Sequence, residues 1–187
     1  MTTKEILLTI TDELTDCLAD LKEEQLSELE LLIRKADKIF VAGAGRSLMM
    51  IRGLAMRLMH MGYKAYVVGE TTTPALEPGD LLIIASGSGN TETLTAIADK
   101  CKRLGGVLAL ITTMPDSNIG QKADCIVHIP ASTTKNSENK RRSIQPGANT
   151  FEQSVLLLGD AIIIRMISEN TIDENNKQLM KLHANLE

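Results

Sequence analysis

Residues 81–93, Leu-Leu-Ile-Ile-Ala-Ser-Gly-Ser-Gly-Asn-Thr-Glu-Thr, decide both the fold and the first candidate site. The apolar run predicts a buried strand, the Ser- and Gly-rich residues predict a tight loop, and the polar run from Thr91 predicts the start of a helix. Unpaired N–H groups of a first helical turn, the helix macrodipole and the hydroxyls of Ser86, Ser88 and Thr91 together favour an anion. Because no Lys follows the glycines, the loop suits a small phosphate ester better than a triphosphate. The alternative interpretation is an ordinary polar turn with a Ser or Thr N-cap.

The composition of the 187 residues excludes several classes of protein. Hydrophobic residues make up 43% and charged residues 24%, which is usual for a globular protein, and the length predicts one domain over residues 1–187. The net charge of -4, with two Tyr, two Phe and no Trp, argues against nucleic acid as a partner. The apolar stretches are too short to span a membrane, and the start Met-Thr-Thr-Lys-Glu does not resemble a signal peptide.

The cysteines and histidines are scattered along the chain. Cys17, Cys101 and Cys125 show no Cys-x-x-Cys spacing, which fits three core thiols in a reducing cytoplasm. The three His are also far apart in sequence, so no metal site is expected.

Helical and strand patterns alternate along most of the chain. The predicted strands are residues 38–42, 65–68, 81–85, 107–111 and 125–129. The predicted helices are residues 3–20, a second one ending near Lys35, 48–61 with a left-handed cap at Gly62, 91–104, 150–168 and a C-terminal helix ending near His183.

This alternation predicts an α/β fold, a three-layer αβα sandwich around a five-stranded parallel sheet. With strand order 2-1-3-4-5, the loops at 43–47 and 86–91 face one crevice at the point where the strand order reverses. Residues 1–35 form N-terminal helices whose apolar stripe serves packing or oligomerisation, and residues 170–187 form a C-terminal helix and tail. The polar segment 131–149 is interpreted as a solvated loop and a candidate lid over the site.

A dinucleotide site is the main alternative for the crevice. Gly43-Ala-Gly45 resembles part of the dinucleotide-binding fingerprint, with Glu70 as the acid that binds the ribose. The fingerprint requires a third small residue where this chain has Leu48, so two glycines alone are weak support.

Three further residues could take part in proton transfer. Glu152 lies in the first turn of the 150–168 helix, where an acidic residue either complements the helix dipole or serves as a general base. His60 lies near a helix end, where a histidine is more often structural than catalytic. His183 lies near the end of the sequence and resembles a surface residue.

Segments along the whole chain resemble the 6-phospho-3-hexuloisomerases, which belong to the sugar isomerase (SIS) domain family. The chain departs from that family at Leu48, where Gly is usual, and at Gly147-Ala-Asn149, which replaces Met-Gly-Ser/Thr. The similar segments are Gly43-Ala-Gly-Arg-Ser47, Ala55-Met-Arg-Leu-Met-His-Met-Gly62, Gly69-Glu-Thr-Thr-Thr-Pro74, Ser86-Gly-Ser-Gly-Asn-Thr91, Ile144-Gln-Pro146, Thr150-Phe-Glu-Gln153 and His183-Ala-Asn-Leu-Glu187.

The resemblance implies a Rossmann-like SIS fold and the isomerisation of D-arabino-hex-3-ulose 6-phosphate to fructose 6-phosphate, a step of formaldehyde fixation by the ribulose monophosphate route. It implies a cis-enediolate mechanism without metal or cofactor, in a homotetramer with shared active sites. Isomerisation of another phosphosugar, or binding without catalysis in a sugar-phosphate sensor, remains an alternative.

The resemblance also implies roles for individual residues. Arg46 and Glu70 line the sugar, Glu152 is the base, His183 reaches the site from a neighbouring subunit, and His60 is a further candidate catalyst. The residues implied to hold the phosphate are Ser47, Ser86, Ser88 and Thr91, and Gly45 and Gly87 are further substrate-binding residues.

Overall fold

The computed structural model of the chain describes residues 1–131, 143–147, 149–167 and 171–186. Most of the segment interpreted from sequence as a lid therefore lies outside the described residues. The helices are α1 (Thr3–Ala19), α2 (Glu23–Lys35), α3 (Gly45–His60), α4 (Glu92–Arg103), α5 (Asn149–Met166) and α6 (Ile172–Lys181), with a short 3-10 helix at Gly120–Lys122. The strands are β1 (Ile39–Gly43), β2 (Ala65–Val67), β3 (Leu81–Ala85), β4 (Val107–Thr112) and β5 (Cys125–His128).

The five strands form one parallel sheet in the order β2-β1-β3-β4-β5. The α/β fold and the strand order predicted from sequence are thereby confirmed. β1 and β3 pair from Ile39 opposite Leu81 to Gly43 opposite Ala85. The two strands therefore end side by side, and the segments that follow them leave the same edge of the sheet.

Alternate residues of the strands enter two apolar cores. Val41 and Ile83 point to one core, which they share with buried residues of α2, α3 and α5. Phe40 and Leu82 point to the other core, which they share with residues of α4. This alternation places helices on both faces of the sheet, as in a three-layer sandwich.

Most element boundaries agree with the sequence patterns, and β3 has the predicted bounds. Gly62 follows α3 with φ +88°, which confirms the left-handed cap. α3 begins at Gly45 rather than at residue 48, so Arg46 and Ser47 lie in its first turn instead of a loop. Their polar side chains hide the helical periodicity, which becomes visible in the sequence only from Leu48 onward.

The N-terminal helix packs with only part of its apolar surface against its own chain. Cys17 is the buried residue of α1, and the helix contacts α5. Ile6, Leu7 and Leu8 at the other end of the helix are exposed. No helix among the described residues is long and apolar enough to cross a membrane.

Candidate active site

Three helix N-termini meet at the carboxyl edge of the sheet. α3 follows β1, α4 follows the loop after β3, and α5 begins beyond β5. The N-caps of α3 and α4 are Ala44 and Thr91, and neither side chain caps its helix with a hydrogen bond to a described residue. Backbone N–H groups and macrodipoles of these helices therefore favour negative charge in the space between them.

The loop between β3 and α4 is folded tightly on itself. Ser86 is only 4% exposed, and its Oγ accepts a hydrogen bond of 3.2 Å from the backbone N–H of Gly89. Ser88 Oγ accepts one of 3.3 Å from the N–H of Asn90. The loop is thereby preorganised, with its hydroxyls at the edge where the helices begin.

Two threonines at the end of β4 hold this loop, and the sequence patterns did not single them out. Thr112 Oγ1 and Thr113 Oγ1 donate to the carbonyl of Gly87 at 3.1 and 2.8 Å, and the Thr113 N–H donates to the same carbonyl at 3.1 Å. Both threonines are buried. Polar residues in the last position of a buried strand and just after it are the signal that could have identified them.

Glu152 and Arg46 form an ion pair between the first turns of α5 and α3. Arg46 Nε donates to Glu152 Oε2 at 2.5 Å. The carboxylate side chain is 13% exposed, whereas the guanidinium side chain is 54% exposed. The structure therefore joins two residues that lie far apart in sequence and keeps the carboxylate largely out of water.

Phe151 connects this ion pair to the loop after β3. Its side chain is fully buried, and a Cβ built on Gly87 would lie 3.4 Å from Phe151 Cδ1. The first turn of α5 thus packs directly against the loop, and Glu152, the next residue, lies at the same crevice. A carboxylate, a guanidinium and the hydroxyl-rich loop after β3 therefore lie close together.

Glu70 lies in the turn that follows β2. Its Oε1 accepts a hydrogen bond of 3.0 Å from Arg52 of α3, and both side chains are about half exposed. Ser47, next to Arg46 in the first turn of α3, is half-buried, and Gly45 is exposed. Gly45 and Ser47 follow β1 and Glu70 follows β2, so all three lie at the carboxyl edge of the sheet.

His60 and His183 lie together at the other edge of the sheet. Their rings stack with centroids 5.3 Å apart and an interplanar angle of 24°. α3 rises about 20 Å between Gly45 and His60, so neither histidine reaches the crevice of its own chain. Burial, with smaller contributions from the charges of His183 and Arg57, lowers the pKa of His60.

The described residues contain no group of three or more His, Cys, Asp or Glu side chains arranged to hold a metal ion. The residues of the crevice are hydroxyls, backbone N–H groups, one guanidinium and carboxylates. This set suits the phosphate and hydroxyl groups of a phosphosugar.

Residues 32–165 match the SIS domain. The chain belongs to the SIS domain family. It is 42% identical to the 3-hexulose-6-phosphate isomerase of Bacillus subtilis, and the match covers 100% of both chains. It is 39% identical to the Mycobacterium gastri 3-hexulose-6-phosphate isomerase over 95% of this chain and 88% of that protein. A crystal structure of a Methanococcus jannaschii protein, interpreted as a 3-hexulose-6-phosphate isomerase, has a TM-score of 0.78 and 35% identity, covering 97% of each chain.

Leu48, where the chain departs from the SIS pattern, packs against the core that β1 shares with α3 and α5. A Cβ on Gly43 would lie 2.9 Å from the Cα of Leu48. Gly43 therefore allows α3 to approach the sheet closely, and the larger residue at position 48 is accommodated by the core.

Gly89 offers a test of how tightly the loop after β3 is held. Its φ is +58°, and a Cβ there would lie 1.9 Å from Ser117 Oγ. Gly79 has a similar φ of +87°, but no described atom lies within 4 Å of a Cβ built there. Both Gly→Ala variants carry backbone strain of about 1–2 kcal/mol. We expect the free energy of unfolding to fall by about 1–3 kcal/mol more in Gly89→Ala than in Gly79→Ala, because Ser117 must move. Urea unfolding at equal protein concentration measures this difference, and equal losses would contradict the packing described.

Proposed function

We propose that this chain is a 3-hexulose-6-phosphate isomerase that converts D-arabino-hex-3-ulose 6-phosphate to fructose 6-phosphate. The observation that carries the proposal is the largely buried carboxylate of Glu152, next to the loop at 86–91 and paired with Arg46. The full-length similarity to proteins named 3-hexulose-6-phosphate isomerase supports the choice of substrate.

The phosphate is bound at the N-termini of α3 and α4. Ser47, Ser86, Ser88 and Thr91 supply hydroxyl donors, and the first-turn N–H groups supply further hydrogen bonds. Gly45 and Gly87 add backbone groups without side chains. Anchoring the phosphate there fixes the distance between the sugar carbons and the first turn of α5.

The reaction requires one proton to move between two neighbouring carbons. Glu152 removes the proton from C2 of the hex-3-ulose, and the electrons form a C2=C3 double bond in a cis-enediolate. The protonated Glu152 then returns the proton to C3. The hydroxyl proton of C2 moves to the oxygen of C3, so that the carbonyl is regenerated at C2. One carboxylate above both carbons performs both transfers, without a metal or an organic cofactor.

Arg46 stabilises the negative charge that develops on the two oxygens. Its guanidinium already contacts Glu152 and is half exposed toward the crevice, so it can share its N–H donors between the carboxylate and the substrate. Arg46 and Glu70 together orient the sugar chain. Removing a donor of this kind typically lowers kcat by about 10²–10³-fold.

The histidines reach the site by assembly of a homotetramer. His60 and His183 are far from the crevice of their own chain, so a neighbouring subunit supplies them. Adjacent faces of α3 and α5 carry exposed apolar side chains of the kind found at interfaces between subunits. These residues are Met49, Met56, Met59, Leu156, Leu157 and Ile164.

The cysteines support a reducing, cytoplasmic location. All three are buried in the structure. Burial raises the pKa of the Cys101 thiol to about 11 and that of Cys125 to about 12, so both remain protonated at neutral pH. Inert buried thiols behave as small apolar core residues.

The proposed activity is tested by following fructose 6-phosphate formation from D-arabino-hex-3-ulose 6-phosphate with purified protein. A panel that includes pentose 5-phosphates distinguishes the proposed substrate from another phosphosugar. We expect turnover to be fastest with the hex-3-ulose. Saturable binding in calorimetry without turnover of any sugar would instead identify a sensor.

Replacement of the base should separate catalysis from binding. We expect Glu152→Gln to lower kcat by about 10²–10⁴-fold with little change in KM, because the phosphate anchor is untouched. Glu24→Gln is the matched control, since Glu24 also lies in a first helical turn and is exposed. Undiminished turnover in Glu152→Gln would show that this residue only complements the helix dipole.

Shared active sites should permit complementation between variants. We expect His183→Ala to lower kcat by about 10²-fold. Co-expressed Glu152→Gln and His183→Ala chains should recover activity, because some sites then combine an intact Glu152 with an intact His183 of the neighbour. Absence of recovery, or a monomer in light scattering at micromolar concentration, would contradict the shared site.

A further inference from the structure

The segment Ser143–Gln145 makes contacts with α1 that the proposed reaction does not explain. Ser143 Oγ donates to Glu13 Oε2 at 2.7 Å, and the Ile144 N–H donates to Glu13 Oε1 at 2.8 Å. Gln145 Nε2 donates to Glu13 Oε2 at 3.1 Å. One carboxylate of the N-terminal helix therefore binds three successive residues that are distant in sequence.

The same segment is tied to the first turn of α5. Gln145 Nε2 also lies 3.2 Å from Thr150 Oγ1, and it donates there as well as to Glu13. Thr150 is buried and stands two residues before Glu152. A chain of hydrogen bonds thus runs from Glu13 through Gln145 to the turn that carries the proposed base.

A second contact between α1 and α5 lies one helical turn further along each helix. Ser154 Oγ is 3.8 Å from Cys17 Sγ, and Ser154 donates to the carbonyl of Thr150 at 2.7 Å. Residues 13 and 17 lie on one face of α1, as do 150 and 154 on α5. The two helices therefore meet along a polar seam that ends at the segment before α5.

Ionisation of Glu13 matches this role. Burial opposes the charge, but the hydrogen bonds from Ser143, Ile144 and Gln145 outweigh it and lower the pKa of the carboxyl. The group is a carboxylate at neutral pH and can accept from all three donors. A glutamine amide in place of the carboxylate has only one acceptor oxygen, and its N–H groups would face the N–H donors of the segment.

We propose that Glu13 is a positioning residue for the isomerase reaction. It holds the segment Ser143–Gln145 and, through Gln145 and Thr150, sets the position from which Glu152 reaches the substrate carbons. This inference rests on the proposed function, in which Glu152 is the base. Glu13 touches no reacting atom and acts only through the first turn of α5.

The proposal predicts a specific kinetic effect of Glu13→Gln. Displacement of a catalytic group by about 1 Å can lower turnover by about 10²-fold. We expect kcat to fall by about tenfold or more and KM to change by less than about threefold, because the phosphate loop does not contact Glu13. Asp12→Asn is the matched control: it removes a neighbouring, exposed carboxylate of the same helix and should leave both constants unchanged.

A double-mutant cycle with Gln145→Ala tests the route of the effect. If Glu13 acts through Gln145, Glu13→Gln should lower kcat little further once Gln145 is replaced. Multiplying effects of the two substitutions, or an unchanged kcat in Glu13→Gln, would overturn the proposal. A parallel loss of kcat in Asp12→Asn would show a general weakening of α1 and would also overturn it.

Hydrogen–deuterium exchange separates this proposal from the proposed function. Peptides covering residues 149–155 should exchange faster in Glu13→Gln than in the wild type and in Asp12→Asn, because the first turn of α5 opens more often. Unchanged exchange would overturn the anchoring of α5 by Glu13. A wild-type protein without turnover would overturn the proposed function instead, and the exchange experiment, which needs no substrate, would still decide whether Glu13 holds this turn.

Discussion

Parallel pairing of β1 with β3 is the interaction on which the candidate site depends. The register that sets Gly43 opposite Ala85 brings the start of α3 next to the loop at 86–91. Both strands bury side chains on each face, in two separate cores. A shift in register by one residue would move the side chains of a strand to the opposite face of the sheet, so burial in the two cores determines the register. The register in turn determines which segments meet at the crevice.

α5 adds to this candidate anion site the carboxylate proposed for proton transfer. Phe151 packs against Gly87 and holds the helix at the loop, while Glu152 turns to Arg46. An exposed ion pair contributes little to stability, but a carboxylate that is 13% exposed has lost much of its hydration. The hydrogen bond from Arg46 compensates for part of that loss. The pair is therefore better explained by chemistry than by stability.

The sequence patterns were sufficient for the fold and for the loop after β3, and insufficient for contacts between distant residues. Residues 81–85 form an apolar run with sharp ends, so the strand could be bounded by composition alone. Arg46 resembled a loop residue because the apolar pattern of α3 begins only at Leu48. Glu13 was not identified from the sequence, since its partners lie about 130 residues away and only the folded chain brings them together. Thr112 and Thr113 stand at the polar end of a buried strand, but their partner is a backbone carbonyl, which the sequence does not identify.

The proposed base and the proposed catalytic histidines lie far apart within one chain, which connects the association of subunits to the chemistry. Glu152 lies at the carboxyl edge of the sheet and the stacked pair His60–His183 at the amino edge, with the length of α3 between them. No side-chain rotation closes that distance, so a site that uses both groups requires two chains. Burial lowers the pKa of His60, which favours the neutral imidazole. A neutral imidazole has one N–H to donate to an enediolate oxygen, so in the proposed mechanism Glu152 is the group that carries the proton between C2 and C3.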